Sequence, residues 1–339
     1  MARNNQITKI KLLRRALESE HLPNNCEIIN INDFELPQGT SVFMFGGNLT
    51  DRPERGNGNA KIIESHIPKK SREKINLYSF GYESEPLRSE GYLSKEYDEE
   101  ARILYKKVFE PQLFDSTGKM KSQKGIEEVF SKLIFSAHCA GCNFVDIIID
   151  GFYNTLLENY SEKQAEILIN KIQYFAYAPN EMPNHNVNAF IIAPYIDPGY
   201  SWAKALTFAE PQNIDVDYPR GIIKKIAKGK TTNQLTNIFK SAFDDSRAIM
   251  FKIGHTVCMI PGQMNKNERT GDHSIAMIGY KRNSESDSDF DETIKTVCNA
   301  SKLFIKGFAS NKAIDSKSLF ATISGELSNN PPNSESQYQ

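Results

Sequence analysis

The chain has 339 residues, 39% of them hydrophobic, enough for one large core or two modest ones. Its 41 Lys and Arg balance 42 Asp and Glu, with a pI near 6.6, so nucleic-acid binding has no electrostatic support. Apolar stretches such as 189–196 fall far short of the roughly 20 residues a membrane span needs, the opening Met1-Ala2-Arg3-Asn4-Asn5-Gln6 has no apolar signal-peptide core, and an odd set of five cysteines in a long chain reads as free thiols in a reducing compartment.

In chain order, residues 6–20 carry the spacing of an amphipathic helix. Short apolar runs at 41–45, ending at Gly46-Gly47, and at 75–80, ending at Gly81, predict buried strands. A helix is expected over 95–109, a polar loop over 115–124 and a helix over 125–131 that leads into a strand at 132–137. Residues 141–159 form a long, mostly apolar helix, and 161–171 another with Ser161 as N-cap. Strands follow at 172–178 and 187–194. Residues 248–260 make a late strand pair or one long strand, and 291–304 a closing helix. This alternation predicts an α/β domain with a mostly parallel central sheet and helices on both faces. One such domain spans 1–325, with 203–247 as a cap or lid, an acidic serine-rich solvated loop at 283–291, and a disordered tail over 328–339.

The most informative segment is Ser136-Ala137-His138-Cys139-Ala140-Gly141-Cys142-Asn143, where an apolar strand runs through a small–x–Cys–x–small pattern into a long helix. A nucleophile on such a strand-to-helix turn needs small residues two positions away, which Ala137 and Gly141 supply. The positive end of the following helix favours a thiolate there. Ala137-His138-Cys139-Ala140-Gly141 resembles the Gly-His-Ser-x-Gly elbow of the α/β-hydrolase family, with Ala137 in place of the first glycine and Cys139 in place of serine. In element order the resemblance extends over about residues 26–280. It implies that Cys139 is the nucleophile and His138 an ordinary neighbour. Phe45-Gly46-Gly47-Asn48 resembles the family's His-Gly-Gly loop, which implies that Gly46, Gly47 and Asn48 supply one oxyanion donor and the Ala140 N–H the other.

The family order of nucleophile, acid, histidine directs attention downstream. His185 sits in a polar stretch and reads as a surface residue; His255 lies in a strand-like run and reads as structural. His273, in Thr270-Gly271-Asp272-His273, stands in a loop after the last strands, where the resemblance places the base. Asp197, in Asp197-Pro198-Gly199 after the 187–194 strand, is the expected acid, although the same tripeptide is a common turn; Asp215, Asp217 and Asp272 compete with it.

These residues predict a hydrolase acting on an ester, thioester or amide carbonyl of a small-molecule, lipid or acylated substrate, through a Cys-His-Asp triad and with no cofactor. Three other readings compete. A papain-like protease or acyltransferase would use Cys142 with His273, and a strand rather than a loop before the cysteines speaks against it. Cys139-x-x-Cys142 has the spacing of a redox pair. A hydrolase scaffold can also serve as a binding module without catalysis. His255-x-x-Cys258 offers two metal ligands without a partner set. The Asn-, Lys- and Ile-rich composition fits an AT-rich bacterial genome, and a Ser/Glu-rich C-terminus is compatible with export into a host cell, where a host protein would be a partner; otherwise the chain is expected in the cytoplasm.

Overall fold

The computed structural model describes residues 11–15, 26–47, 67, 74–81, 95–139, 141–179, 183–193, 215–217, 249–253 and 255–260. The strands are β1 (Lys11–Arg15), β2 (Cys26–Ile29), β3 (Thr40–Phe45), β4 (Ile75–Gly81), β5 (Leu133–His138), β6 (Gln173–Tyr177), β7 (Asn188–Ile192), β8 (Asp215–Asp217), β9 (Ile249–Ile253) and β10 (Thr256–Ile260). The helices are α1 (Lys95–Leu104), α2 (Gln123–Phe130), α3 (Gly141–Leu157) and α4 (Glu162–Ile169). The ten strands form one sheet in the order β2-β1-β4-β3-β5-β6-β7-β10-β9-β8. The six from β4 to β10 in that order run parallel, and an antiparallel pair closes each edge. The protein is therefore α/β, with a mostly parallel central sheet, as its alternating pattern predicts.

A parallel strand buried on both faces has no polar side, so it reads as an unbroken apolar run. Every residue of β3, β6 and β7 is buried, and every residue of β5 except His138. The register aligns Phe43 with Tyr78 and Phe135, and Phe45 with Phe80 and Ala137, so these side chains share one face. The described helices pack on that face, around an aromatic cluster in which Phe109 meets Phe43 at 5.0 Å and Phe135 at 5.3 Å between ring centroids. Each such ring contributes about 1.5–3 kcal/mol by burial alone. Val42, Met44, Ile134, Phe175 and Ile192, on the opposite face, are buried as well.

Three expectations are revised. Residues 11–15 lie in the predicted N-terminal helix but form β1, which pairs with both β2 and β4. The short run Lys11-Leu12-Leu13-Arg14-Arg15 satisfies either period, and sheet pairing decides between them. The 95–109 helix stops being α-helical at Leu104, widens into a π turn over Tyr105–Phe109 and tightens into a 3-10 turn over Glu110–Leu113. The stretch expected as a loop to 124 yields two residues to α2, because the Ser122 hydroxyl accepts from the Gly125 N–H at 3.3 Å and caps the helix there. Ser161 caps α4 as expected: Gln164 Oε1 accepts from the Ser161 N–H at 3.1 Å and from its hydroxyl at 2.9 Å. The late strand pair is β9 and β10, joined as a hairpin. Of the expected cap at 203–247, residues 215–217 form the edge strand β8; its other residues, the 283–291 loop, the 291–304 helix and the tail lie outside the described residues. Among the described residues no helix is long and apolar enough to cross a membrane.

The π turn packs Tyr105 onto α3 at Gly151, where an added Cβ would lie 2.8 Å from the ring. That ring cannot swing away freely, since it is buried edge-on against Phe152 and its hydroxyl bonds Thr155 Oγ1 at 2.7 Å. Gly151→Ala therefore sets a helix-propensity gain of about 1 kcal/mol against an overpacking cost of about 1–3 kcal/mol. We expect net destabilisation, whereas Gly125→Ala, whose Cβ would meet only Lys121 Cβ at 3.2 Å, is expected to be neutral or stabilising; urea unfolding of the two variants measures the difference.

Candidate active site

The chain leaves β3 toward β4 on one side and leaves β5 toward β6 on the other, so the neighbours β3 and β5 flank the switch point of the sheet. In open α/β sheets the crevice at the carboxyl ends of such a strand pair is where ligands bind. Gly46-Gly47 follows β3 into this crevice, and Cys139 follows β5.

Cys139 holds a positive φ of 53°. Its N–H donates to the Tyr177 carbonyl at 3.0 Å, extending the β5–β6 ladder by one residue, while its own carbonyl accepts from the Cys142 N–H at 3.0 Å in the first turn of α3. The residue is thus pinned to a strand on one side and to a helix on the other, and takes the turn between them in a backbone region that costs a non-glycine residue about 1–3 kcal/mol. The small neighbours have a steric cause. A Cβ on Gly141 would lie 2.5 Å from the Gly46 carbonyl oxygen and 2.6 Å from that of Phe45, so the start of α3 rests directly on the end of β3. A Cβ on Gly47 would lie 2.8 Å from Cys139 Cβ and 3.0 Å from His138 Nδ1. The glycine loop and the cysteine are therefore in contact.

The structure brings Cys139, Gly46 and Gly47 together as the sequence expects. Asn48, Ala140, His273, Asp197 and Asp272 lie outside the described residues. β7, the strand expected to precede Asp197, ends at the same edge as Cys139, two strands from β5. Asp215 and Asp217 sit on β8, five strand spacings from β5, about 24 Å at the usual separation and farther than one imidazole bridges. The other described histidines are at the opposite edge. His255 stands at the start of β10, and its N–H donates to Asn186 Oδ1 at 2.8 Å. His185 precedes β7 and, contrary to a surface reading, is half-buried: its Nε2 lies 2.8 Å from Asp150 Oδ1, its Nδ1 3.7 Å from Glu166 Oε1, and its ring 4.4 Å from that of Tyr153. A polar sequence around His185 hid its carboxylate partners, which come from α3 and α4.

Cys139, Cys142 and Cys258 are free thiols; Cys139 is 7% exposed and the other two are sealed. Burial pushes the Cys142 thiol well above its usual range, the nearby Asp146 and Cys139 add to this, and the Tyr174 hydroxyl beside it opposes it. Burial likewise raises Cys258. Cys142 is thus a protonated packing residue under the elbow, and the strand before it belongs to a parallel sheet, the feature that sets an elbow apart from a papain-like site. Among the described residues no group of three His, Cys, Asp or Glu is placed to hold a metal ion.

Sequence reasoning missed Ala178. It follows β6, holds a φ of 43° and precedes Pro179, a combination that both its own Cβ and the following ring disfavour. Its N–H donates to the Ile192 carbonyl at 2.8 Å, as that of Ala193 does to Met259 at 2.9 Å. The first residue past each of β5, β6 and β7 is thus bonded to the neighbouring strand. Nothing in the residue type marks Ala178, since alanine carries no signal for a left-handed backbone.

No protein-family model matches this sequence, and a search of curated proteins finds no significant match.

Placing a methyl group at position 141 forces α3 off β3. Gly141→Ala is expected to cost about 3 kcal/mol or more, because the obstacle is strand backbone rather than a movable side chain; thermal unfolding beside the Gly125→Ala control tests it.

Proposed function

We propose that this chain is a cysteine-dependent acyl hydrolase of the α/β-hydrolase type. The observation that carries the reading is Cys139 in a positive-φ turn at the switch point of a parallel sheet, in contact with the glycine loop after β3. The Cys139 sulfur attacks an ester, thioester or amide carbonyl, and the electron pair of the C=O moves onto oxygen. The Gly46-Gly47-Asn48 loop and the Ala140 N–H hold that oxyanion. Its collapse expels the alcohol, thiol or amine and leaves an acyl-thioester on Cys139. His273 takes the thiol proton, gives it to the leaving group and then draws a proton from the water that resolves the acyl-enzyme, with Asp197 orienting its ring. The substrate is a small-molecule, lipid or acylated compound. An acceptor amine in place of water turns the same intermediate toward acyl transfer.

Intact-mass spectrometry after brief exposure to iodoacetamide at pH 6, followed by peptide mapping, tests the nucleophile. One adduct at Cys139 is expected while the sealed Cys142 and Cys258 remain unmodified, and Cys139→Ala should lose the adduct and all turnover in an ester and thioester screen without a change in unfolding midpoint. Slow, even labelling of all the cysteines, or full activity in Cys139→Ala, overturns the reading and leaves a binding module on this scaffold.

A further inference from the structure

Of the three histidines among the described residues, only His138 shares an edge with Cys139. It ends β5, where Leu133, Phe135 and Ala137 face the helix-side core and Ile134 and Ser136 the opposite side, so alternation turns His138 to the side away from α3. It is half-buried where the rest of its strand is sealed. Its register partner on β6 is Tyr177.

The point a Gly47 Cβ would occupy is 3.0 Å from His138 Nδ1, 3.4 Å from the His138 carbonyl oxygen and 2.8 Å from Cys139 Cβ. Gly47 therefore leans on His138 through both ring and backbone, and on the root of the nucleophile at the same time. A loop that must present an N–H to a carbonyl oxygen within a few tenths of an ångström needs such a support, because oxyanion stabilisation depends on donors already in place. Nothing about an elbow requires an imidazole at this position for packing: the residue is not in the sealed core, and its ring is turned toward the loop.

We propose that His138 is a positioning residue of this site, which buttresses Gly47 and so holds the oxyanion donor of the glycine loop over Cys139. The role rests on the acyl-hydrolase reading above. It predicts a split between two reactions of one sulfur. Alkylation by iodoacetamide displaces iodide from a saturated carbon and forms no oxyanion. Acylation by p-nitrophenyl butyrate joins the Cys139 sulfur to the carbonyl carbon, expels p-nitrophenolate and passes through an oxyanion.

The experiment uses the full chain with His138→Ala, His138→Asn and wild type, with folding checked by thermal unfolding. In wild type a stoichiometric burst of p-nitrophenolate and a butyryl adduct on Cys139 are expected. His138→Ala should slow that burst at least tenfold while its iodoacetamide rate stays within about twofold, since losing an oxyanion donor outright costs about 10²–10³. His138→Asn, whose amide nitrogen can stand where Nδ1 stands, should recover most of the burst. Equal loss of both reactions in His138→Ala overturns the positioning role in favour of a direct effect on the thiol. No loss of either overturns it in favour of a bystander. A wild type alkylated selectively but not acylated overturns the oxyanion loop and this role with it. A wild type showing neither reaction removes Cys139 as nucleophile, and that failure belongs to the function reading. If His138→Ala fails to fold, the His138→Asn and His138→Gln pair decides: Gln places its amide beyond Nδ1, so equal bursts in the two overturn the role.

Discussion

The approach of α3 to β3 is the constraint on which the candidate site depends. With no side chain at Gly141, the helix starts within contact of the Phe45 and Gly46 carbonyls. β5 must then deliver the chain to that spot within a residue or two, and Cys139 absorbs the change of direction with a left-handed backbone. The strain of about 1–3 kcal/mol is small beside the surrounding core. Phe43, Phe45, Phe80, Phe109 and Phe135 are each sealed, and each contributes as much on its own. The turn is held because the layers on both sides are fixed, and it points a polarizable atom at the one place where the sheet parts.

Much of this was legible in the sequence. β3, β5, β6 and β7 are unbroken apolar runs because burial on both faces leaves no polar alternation. The elbow was legible because contact between a helix start and a neighbouring strand excludes side chains, and Ala137 and Gly141 record that exclusion. What the sequence hid was set by partners distant in the chain. β1 follows from its two antiparallel neighbours rather than from its five residues. The π turn follows from the fit of Tyr105 over Gly151. His185 looked exposed because Asp150 and Glu166, which hold it, stand on separate helices. Ala178 left no trace, because its backbone is imposed by bonding to β7 and not chosen by its side chain.

The two edges of the sheet differ in character. At the carboxyl edge, small residues and strained backbone bring the glycine loop, His138 and Cys139 within contact of one another. At the amino edge, polar fastening prevails: His185 ties the approach to β7 to α3, Asn170 Nδ2 donates to the Asn186 carbonyl at 2.7 Å, and the Asn186 side chain receives the β9–β10 hairpin at His255. Fastening at one end leaves the other end free to meet a ligand without opening the core.

The bonds from Cys139, Ala178 and Ala193 to the neighbouring strands form a staircase along the carboxyl edge, each step standing on the next strand outward. Each loop is therefore clamped at its root before it departs. A loop clamped in this way can lengthen, shorten or change composition while the geometry at its base stays put, because a disturbance at the tip meets the clamp before it reaches the elbow. The staircase thus separates the part of the edge that must keep its shape from the part that can drift, and lets a lineage change what the crevice admits without rebuilding the turn that carries the sulfur.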